Sequence, residues 1–82
     1  MIYKVFSIYD SKVGTFSSPI CYRTIGQAER SFRDLLSQEC DLSKHPEDYT
    51  MFHLADWNPE NGMYFLNDAP ISILTAISCV ES

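Results

Sequence analysis

Short apolar runs separated by polar turns make up this chain, and the first of them, residues 2–9, is apolar on both of its alternating sides. β-branched and aromatic residues without Gly or Pro are typical of a strand. A strand that is apolar on both sides is usually central and covered on two sides. We therefore predict a central first strand, followed by a loop over residues 10–22. The two sides of the strand carry Tyr3, Val5, Ser7 and Tyr9, and Ile2, Lys4, Phe6 and Ile8.

After residue 23 the apolar spacing changes to that of a helix. Thr24 followed by Gln27 fits a capping box, in which the Thr hydroxyl accepts a hydrogen bond from the Gln27 amide and the Gln27 side chain reaches back. We predict a helix over residues 24–39 and a polar loop over residues 40–48. The apolar stripe of the helix consists of Ile25, Ala28, Phe32, Leu35 and Leu36.

A second strand is predicted over residues 50–57 and a third over residues 63–66, because both runs alternate or are continuously apolar. Between them, Asn61 and Gly62 favour the positive backbone φ angle of a tight turn. The two strands should therefore form an antiparallel hairpin.

The segment 71–80 is ambiguous between a short helix and a fourth strand. We favour a helical turn, because Pro70 suits the first turn of a helix and Leu74 and Ile77 lie three residues apart.

The predicted order is β-α-β-β, which is an α+β fold formed by a single domain over residues 1–82. It consists of a small antiparallel sheet of about three strands with one main helix packed on one face. A single helix leaves the second face of the sheet uncovered. The loop over residues 11–22, the C-terminal segment or a second subunit could cover it, and we favour a homodimer to which loop and tail contribute.

A hydrophobic content of 45% shows that the chain can form a core. The sequence contains neither an apolar stretch of the roughly 20 residues that span a bilayer nor a signal-peptide pattern, so we expect a cytosolic protein without membrane contact. Three scattered cysteines, Cys21, Cys40 and Cys79, fit neither a disulfide framework nor a zinc pattern.

Eleven acidic and six basic residues give a net charge of −5. Non-specific binding of nucleic acid depends on Lys and Arg, so this balance argues against a protein that coats a genome. It is compatible with a protein that binds another protein.

A titratable turn contains His45, Pro46, Glu47, Asp48 and Tyr49. A functional interpretation is a metal site or an acid–base pair, with His53 and Asp56 as further candidate ligands. The alternative, which we favour, is a structural turn fixed by Pro46, in which Asp48 caps the turn and Tyr49 packs its ring. No nucleophile motif, P-loop or dinucleotide fingerprint is present, so we expect neither catalysis, metal nor cofactor.

Basic residues cluster on or just before the predicted helix. With nearby aromatic residues they could form a surface for single-stranded DNA, where arginines hold phosphates and rings stack on bases. The alternative is a solvated helix face in which Arg33 pairs with Glu29, and a tryptophan that only packs at the end of the hairpin. The candidate nucleic-acid-binding residues are Arg23, Arg30, Arg33, Lys44, Tyr49 and Trp57.

The run from Lys44 to Tyr49, the following strand with His53, and the acidic Gly turn over residues 56–62 together resemble the hallmark segment of a phage protein family. This family is the small nonstructural protein of gokushoviruses, the single-stranded DNA phages of the Microviridae. The resemblance also covers the first strand and the helix around residues 28–32.

The resemblance implies a nonstructural protein that acts in the host bacterial cytoplasm and is absent from the virion. It implies a role in viral DNA replication and single-stranded DNA synthesis, through binding of single-stranded DNA or the replication complex rather than through catalysis. Two alternatives remain open. One is a protein-interaction module that targets a host or viral replication protein without contacting DNA; the other is a small oligomeric scaffold without a ligand.

Overall fold

The computed structural model describes residues 1–81, which form a five-stranded antiparallel sheet with the helices on one of its faces. A 3-10 turn, Pro46–Asp48, leads into the fourth strand. The strands are β1 (Tyr3–Asp10), β2 (Thr15–Phe16), β3 (Ile20–Tyr22), β4 (Tyr49–Trp57) and β5 (Tyr64–Thr75), and the helices are α1 (Ile25–Leu36), α2 (Asp41–Lys44) and α3 (Ala76–Glu81).

Strand β1 is central, as its sequence predicts. It pairs with β4 along one edge, and with β2 and β3 in succession along its other edge. Strand β5 pairs with β4 and forms the outer edge of the sheet. The α+β class is confirmed, but the sheet has five strands where about three were predicted.

The two extra strands come from residues 10–22, where a loop was predicted. Gly14 has a φ of +80°, which reverses the chain and brings the following residues alongside β1. These strands contain only two and three residues, which is too short for alternation to be recognised in a sequence. Pro19, which has no backbone N–H, lies in the gap between them.

The prediction for the C-terminal segment was wrong in its position. Strand β5 continues through Pro70 to Thr75, and the helix α3 begins only at Ala76. Pro70 is tolerated because β5 is an edge strand, where a missing N–H costs little. The register shifts here, since His53 pairs with Ile71 while Ala55 pairs with Leu66.

Helix α1 begins as the sequence predicts and ends three residues earlier, at Leu36. The Thr24 hydroxyl accepts from the Gln27 amide at 3.1 Å, which confirms the cap. The Gln27 side chain reaches back one residue further than in a capping box and accepts from the Arg23 amide at 3.1 Å. The short helix α2 occupies part of the predicted polar loop.

The predicted hairpin turn is confirmed between β4 and β5. Gly62 has a φ of +75°, and its amide donates to the carbonyl of Asn58 at 2.7 Å.

The hydrophobic core lies between the helices and one face of the sheet, which we call the covered face. Phe6 of β1 and Met51 of β4 pack there against Phe32 of α1. Ala28 and Ala76 are fully buried, and their small side chains let α1 and α3 lie close together over the sheet. Burial of a ring such as Phe32 contributes about 1.5–3 kcal/mol.

The opposite side of the sheet, which we call the open face, contains the other half of the alternating strand residues. On β1 these are Tyr3, Val5, Ser7 and Tyr9. Their register partners on β4 point the same way, because directly paired residues share a face. The C-terminal segment was expected to contribute to covering this face, but α3 packs on the covered face instead.

Candidate binding face

Three aromatic rings form a row across the open face, which we call the aromatic ladder: Tyr3, Trp57 and Tyr64. They belong to β1, β4 and β5 and are register partners, so each ring lies beside the next. The ring centroids are 5.9 Å apart between Tyr3 and Trp57, and 6.3 Å apart between Trp57 and Tyr64. All three rings are at least partly accessible.

A cation adjoins the ladder. The guanidinium carbon of Arg23 lies 6.0 Å from the centroid of the Tyr3 ring, within the range of a cation–π interaction. Arg23 occupies this position because it directly follows β3 and precedes the cap of α1. It is exposed, so its charge remains available to a ligand.

A second group of rings, which we call the aromatic cluster, lies at the other end of the open face: Tyr9, Phe16 and Phe52. The Tyr9 ring is 4.8 Å from Phe16 and 6.2 Å from Phe52, and these two phenylalanine rings are 5.7 Å apart. Tyr9 lies six positions after Tyr3 along β1, which places the cluster about 20 Å from the ladder.

Smaller buried residues lie between these two groups of rings. Val5 and Ala55 are register partners and are buried, yet they are not part of the core beneath the helices. The hydroxyl of Ser7 is also buried and donates to the carbonyl of Ser17 at 2.7 Å. The open face therefore has a floor of small side chains between two sets of aromatic rings.

A β-bulge in β4 explains why Trp57 joins the ladder. Val5 pairs with Ala55 while the next residue of β1, Phe6, pairs with His53, so Leu54 is left without a partner on β1. The extra residue changes which side chains point to which face. As a result, Trp57 points to the open face.

The same bulge places His53 and Asp56 together at the margin of the covered face. The His53 Nε2 atom is 3.0 Å from a carboxylate oxygen of Asp56, and its Nδ1 atom is 3.2 Å from the side-chain amide nitrogen of Asn67. That amide also donates to the His53 carbonyl at 2.9 Å. Because an amide nitrogen can only donate, the neutral imidazole has its proton on Nε2 and donates to Asp56. Both ring nitrogens of His53 have hydrogen-bond partners, which fits a structural role at the register shift between β4 and β5.

The predicted titratable turn forms the 3-10 turn, with Pro46 at its first position. Single ligand atoms of His45, Glu47 and Asp48 lie within 4.8 Å of one another, and the His45–Glu47 contact is 3.9 Å. His45 and Glu47 are exposed. His53 and Asp56 pair with each other on β4 instead, so the turn and the strand do not form the combined metal site considered from the sequence.

Tyr49 packs its ring against the core at the other end of β4 from Trp57. Partial burial raises the pKa of its phenol, and so do the nearby carboxylates Asp10, Asp41 and Asp48, with a hydrogen bond to Asp10. These acidic neighbours make this end of the molecule unattractive for phosphate.

The structure thus brings together only two of the six candidate nucleic-acid-binding residues, Arg23 and Trp57. Arg30 and Arg33 are exposed on α1, which covers the opposite face, and within residues 1–81 no ion pair joins Arg33 to Glu29. Lys44 ends α2, is exposed and makes no contact with the ladder that the structure records.

Tyr3 and Tyr64 are site residues that the sequence analysis did not select. Each lies in a run that was recognised as a strand, but only the register across β1, β4 and β5 aligns them with Trp57.

The fold and this face define a small α+β protein whose helices cover one face of an antiparallel sheet, leaving aromatic rings on the other. Within residues 1–81, none of the helices is both long enough and apolar enough to cross a membrane. The chain belongs to the family described as Phage ORF5 protein, whose model matches residues 3–79. No curated protein and no solved structure matches it.

Proposed function

We propose that this phage protein acts in viral DNA replication by binding single-stranded DNA on the aromatic ladder, without catalysis. The family supports a phage role, and the hallmark run from Lys44 to Tyr49 supports the narrower assignment to gokushoviruses and action in the host cytoplasm. The observation that carries the DNA-binding proposal is the row of three accessible rings beside Arg23.

Stacking of bases on aromatic side chains is tolerant of sequence, since every base has a flat face. One class of RNA-binding domain stacks two or three bases of a single strand on aromatic rings of a four-stranded sheet in this way. The ladder rings lie on neighbouring strands, so successive bases can follow the row across the sheet. Arg23 at its end can neutralise a phosphate.

The charge of the protein limits the affinity. Within residues 1–81, Arg23 makes the one cation–π contact with the ladder, and the net charge of −5 opposes the approach of DNA. Neutralisation of about one phosphate gives a slope of roughly −0.7 in a plot of log affinity against log salt. Binding should therefore depend mainly on stacking and weaken only moderately with salt.

The test is a fluorescence-anisotropy titration of a labelled single-stranded oligonucleotide at low and moderate salt. Loss of one stacked base costs about 1–3 kcal/mol, so Trp57→Leu should weaken binding by roughly 5- to 150-fold. Phe52→Leu is the matched control, because Phe52 is also a half-buried ring on the open face of β4, at the other end.

A second pair of variants tests the cation. Arg23→Gln should weaken binding and flatten the salt dependence, while Arg30→Gln on α1 should not. A larger loss with Arg30→Gln would move the site to the helix. An absence of binding at both low and moderate salt would rule out the DNA proposal.

The second candidate function is a protein-interaction module directed at a host or viral replication protein. The acidic surroundings of Tyr49 support it, since Asp10, Asp41 and Asp48 would attract a basic partner. Binding of a purified replication protein should then survive an Arg30/Arg33 double substitution and be lost on replacing Asp41 and Asp48 by Asn. The opposite pattern would reject this candidate.

A further inference from the structure

A cleft of about 250 Å³ lies between α2 and the edge of the sheet that β1 and β2 form. Most of its wall is apolar or aromatic, from Ile8, Phe16, Leu42 and Tyr49. Among the described residues that line the cleft, Asp10 alone is charged. The cleft therefore combines apolar walls with one carboxylate.

The Asp10 carboxylate has room for a further hydrogen-bond donor. One of its oxygens accepts from the backbone amides of Lys12 at 3.0 Å and Val13 at 3.5 Å, which fixes the turn after β1. The carboxylate also accepts a hydrogen bond from the Tyr49 phenol. A carboxylate has about four acceptor sites, so at least one remains. Within residues 1–81, neither Lys12 nor Lys44 forms an ion pair with Asp10.

Two further carboxylates make the potential around the cleft more negative. Asp41 begins α2 and Asp48 ends the 3-10 turn, and both are close enough to Tyr49 to raise the pKa of its phenol, as Asp10 does. Charges interact more strongly beside a surface of low polarity than in open water. The cleft therefore favours a ligand that carries positive charge.

The size and walls of the cleft decide which cation fits. A metal ion such as Ca²⁺ requires several oxygen ligands, and one carboxylate between apolar walls offers too few. The volume of about 250 Å³ is below the range of about 300–1,000 Å³ that is typical of pockets for small molecules. A cleft of this size accommodates one long side chain with an apolar stem and a cationic head.

A guanidinium group matches these surroundings better than an ammonium group does. Its planar face stacks on aromatic rings such as that of Tyr49, and its paired N–H groups fit a carboxylate. It is also more weakly hydrated, so its entry between apolar walls costs less. The side chain that combines these properties is arginine.

We infer that this cleft receives an arginine side chain of a basic partner protein, with the guanidinium at Asp10 and the aliphatic stem against Ile8 and Leu42. The net charge of −5 favours a basic partner over a second copy of this chain. The inference rests on the second candidate function, the protein-interaction module, and names the residue that its partner inserts. Arginine is enriched among the residues that dominate the energetics of protein interfaces.

The experiment is an NMR titration that follows the backbone amides of the full chain as the peptide acetyl-Gly-Arg-Gly-amide is added at constant ionic strength. We expect saturable shifts with a dissociation constant in the millimolar range, because one side chain supplies little binding energy. The same peptide with citrulline, which has nearly the shape of arginine without its charge, should bind at least about tenfold more weakly. The lysine peptide should bind at least about threefold more weakly. The shifts should be confined to the cleft, at Asp10, Thr15, Phe16, Leu42 and Tyr49.

Asp10→Asn tests the charge of the cleft. Asparagine keeps a side-chain oxygen that can accept from the backbone amides of Lys12 and Val13, so the turn after β1 should stay intact. Binding of the arginine peptide should weaken about three- to tenfold. Asp68→Asn is the matched control, because it removes the same charge from an exposed position at the opposite edge of the sheet.

Equal binding of the citrulline peptide or of the lysine peptide would overturn the inference. So would shifts spread over the whole acidic surface, or an equal loss in Asp68→Asn, because either result indicates general attraction between charges. The comparison of the three peptides on the wild type stands even if Asp10→Asn does not fold.

Failure of the proposed functions is measured separately. A replication protein that does not bind would reject the second candidate function and leave the peptide result unchanged. Binding of single-stranded DNA is measured at the ladder, which lies at the other end of β1 from Asp10.

Discussion

The covered face and the open face draw on the same strands in alternation, yet they differ in what packs on them. On the covered face Phe6 and Met51 lie beneath two helices and are buried. On the open face the rings of Tyr9, Phe16 and Phe52 contact one another and are not fully buried. The covered face thus supplies the core that a small domain needs, and the open face leaves aromatic surface partly exposed.

The largest expected effect comes from a substitution in the core beneath the covered face. Phe32 is 1% exposed, and Phe32→Ala should lower the free energy of unfolding by about 3–5 kcal/mol, through lost burial and the cavity left behind. Phe16→Ala on the open face should lower it less, by about 1–2 kcal/mol, because the ring is 45% exposed although it contacts Tyr9 and Phe52. Urea unfolding followed by circular dichroism measures both.

Equal losses in the two variants would show that the open face contributes to stability as much as the core does. The contrast between the faces would then be wrong. Because a domain of this size is marginally stable, Phe32→Ala could be unfolded in water, and Phe32→Leu provides a milder version of the same test.

The next effect concerns the pairing of β4 with β5 near His53, where the register shifts. Asn67→Ala removes the two hydrogen bonds to His53 and should cost about 1–2 kcal/mol of unfolding free energy. Asp68→Ala is the control, because Asp68 is the exposed neighbour of Asn67.

Hydrogen exchange followed by NMR would localise this change. Faster exchange confined to β5 and the end of β4 is the expected pattern for Asn67→Ala. Unchanged stability, or an equal loss in the Asp68 control, would show that the Asn67 hydrogen bonds do not stabilise this part of the sheet.

The smallest effect is a pH dependence at the acidic end of the covered face. The pKa of the Tyr49 phenol is raised by partial burial and by Asp10, Asp41 and Asp48, so the folded protein holds this proton more tightly than the unfolded chain does. The resulting stability is complete below the unfolded pKa of about 10 and is lost as pH rises through the higher folded pKa. As the pH is raised above about 10, the free energy of unfolding of Tyr49→Phe should therefore fall less than that of the wild type.

Thermal unfolding at neutral and alkaline pH compares the two proteins. If the wild type loses no more stability than Tyr49→Phe over this range, the folded structure does not raise the pKa of the Tyr49 phenol, and the prediction is wrong.

Local chemistry was readable from the sequence because it acts over a few neighbouring residues. Thr24 and Gln27 located the start of α1, and Gly62 located the hairpin turn. An unbroken run of β-branched and aromatic residues located β1, and the apolar run over residues 50–57 located β4. The segment from Lys44 to Tyr49 identified a phage family, which the family match over residues 3–79 confirms at that broader level.

The tertiary structure alone decided which residues meet. Strands β2 and β3 exist because they pair with β1, and β5 passes through Pro70 because it lies at an edge. The aromatic ladder depends on the register of three strands and on a bulge at Leu54, which changes the face to which Trp57 points. Pairing energies between residues far apart in the chain set both register and bulge, so a pattern of neighbours cannot encode them.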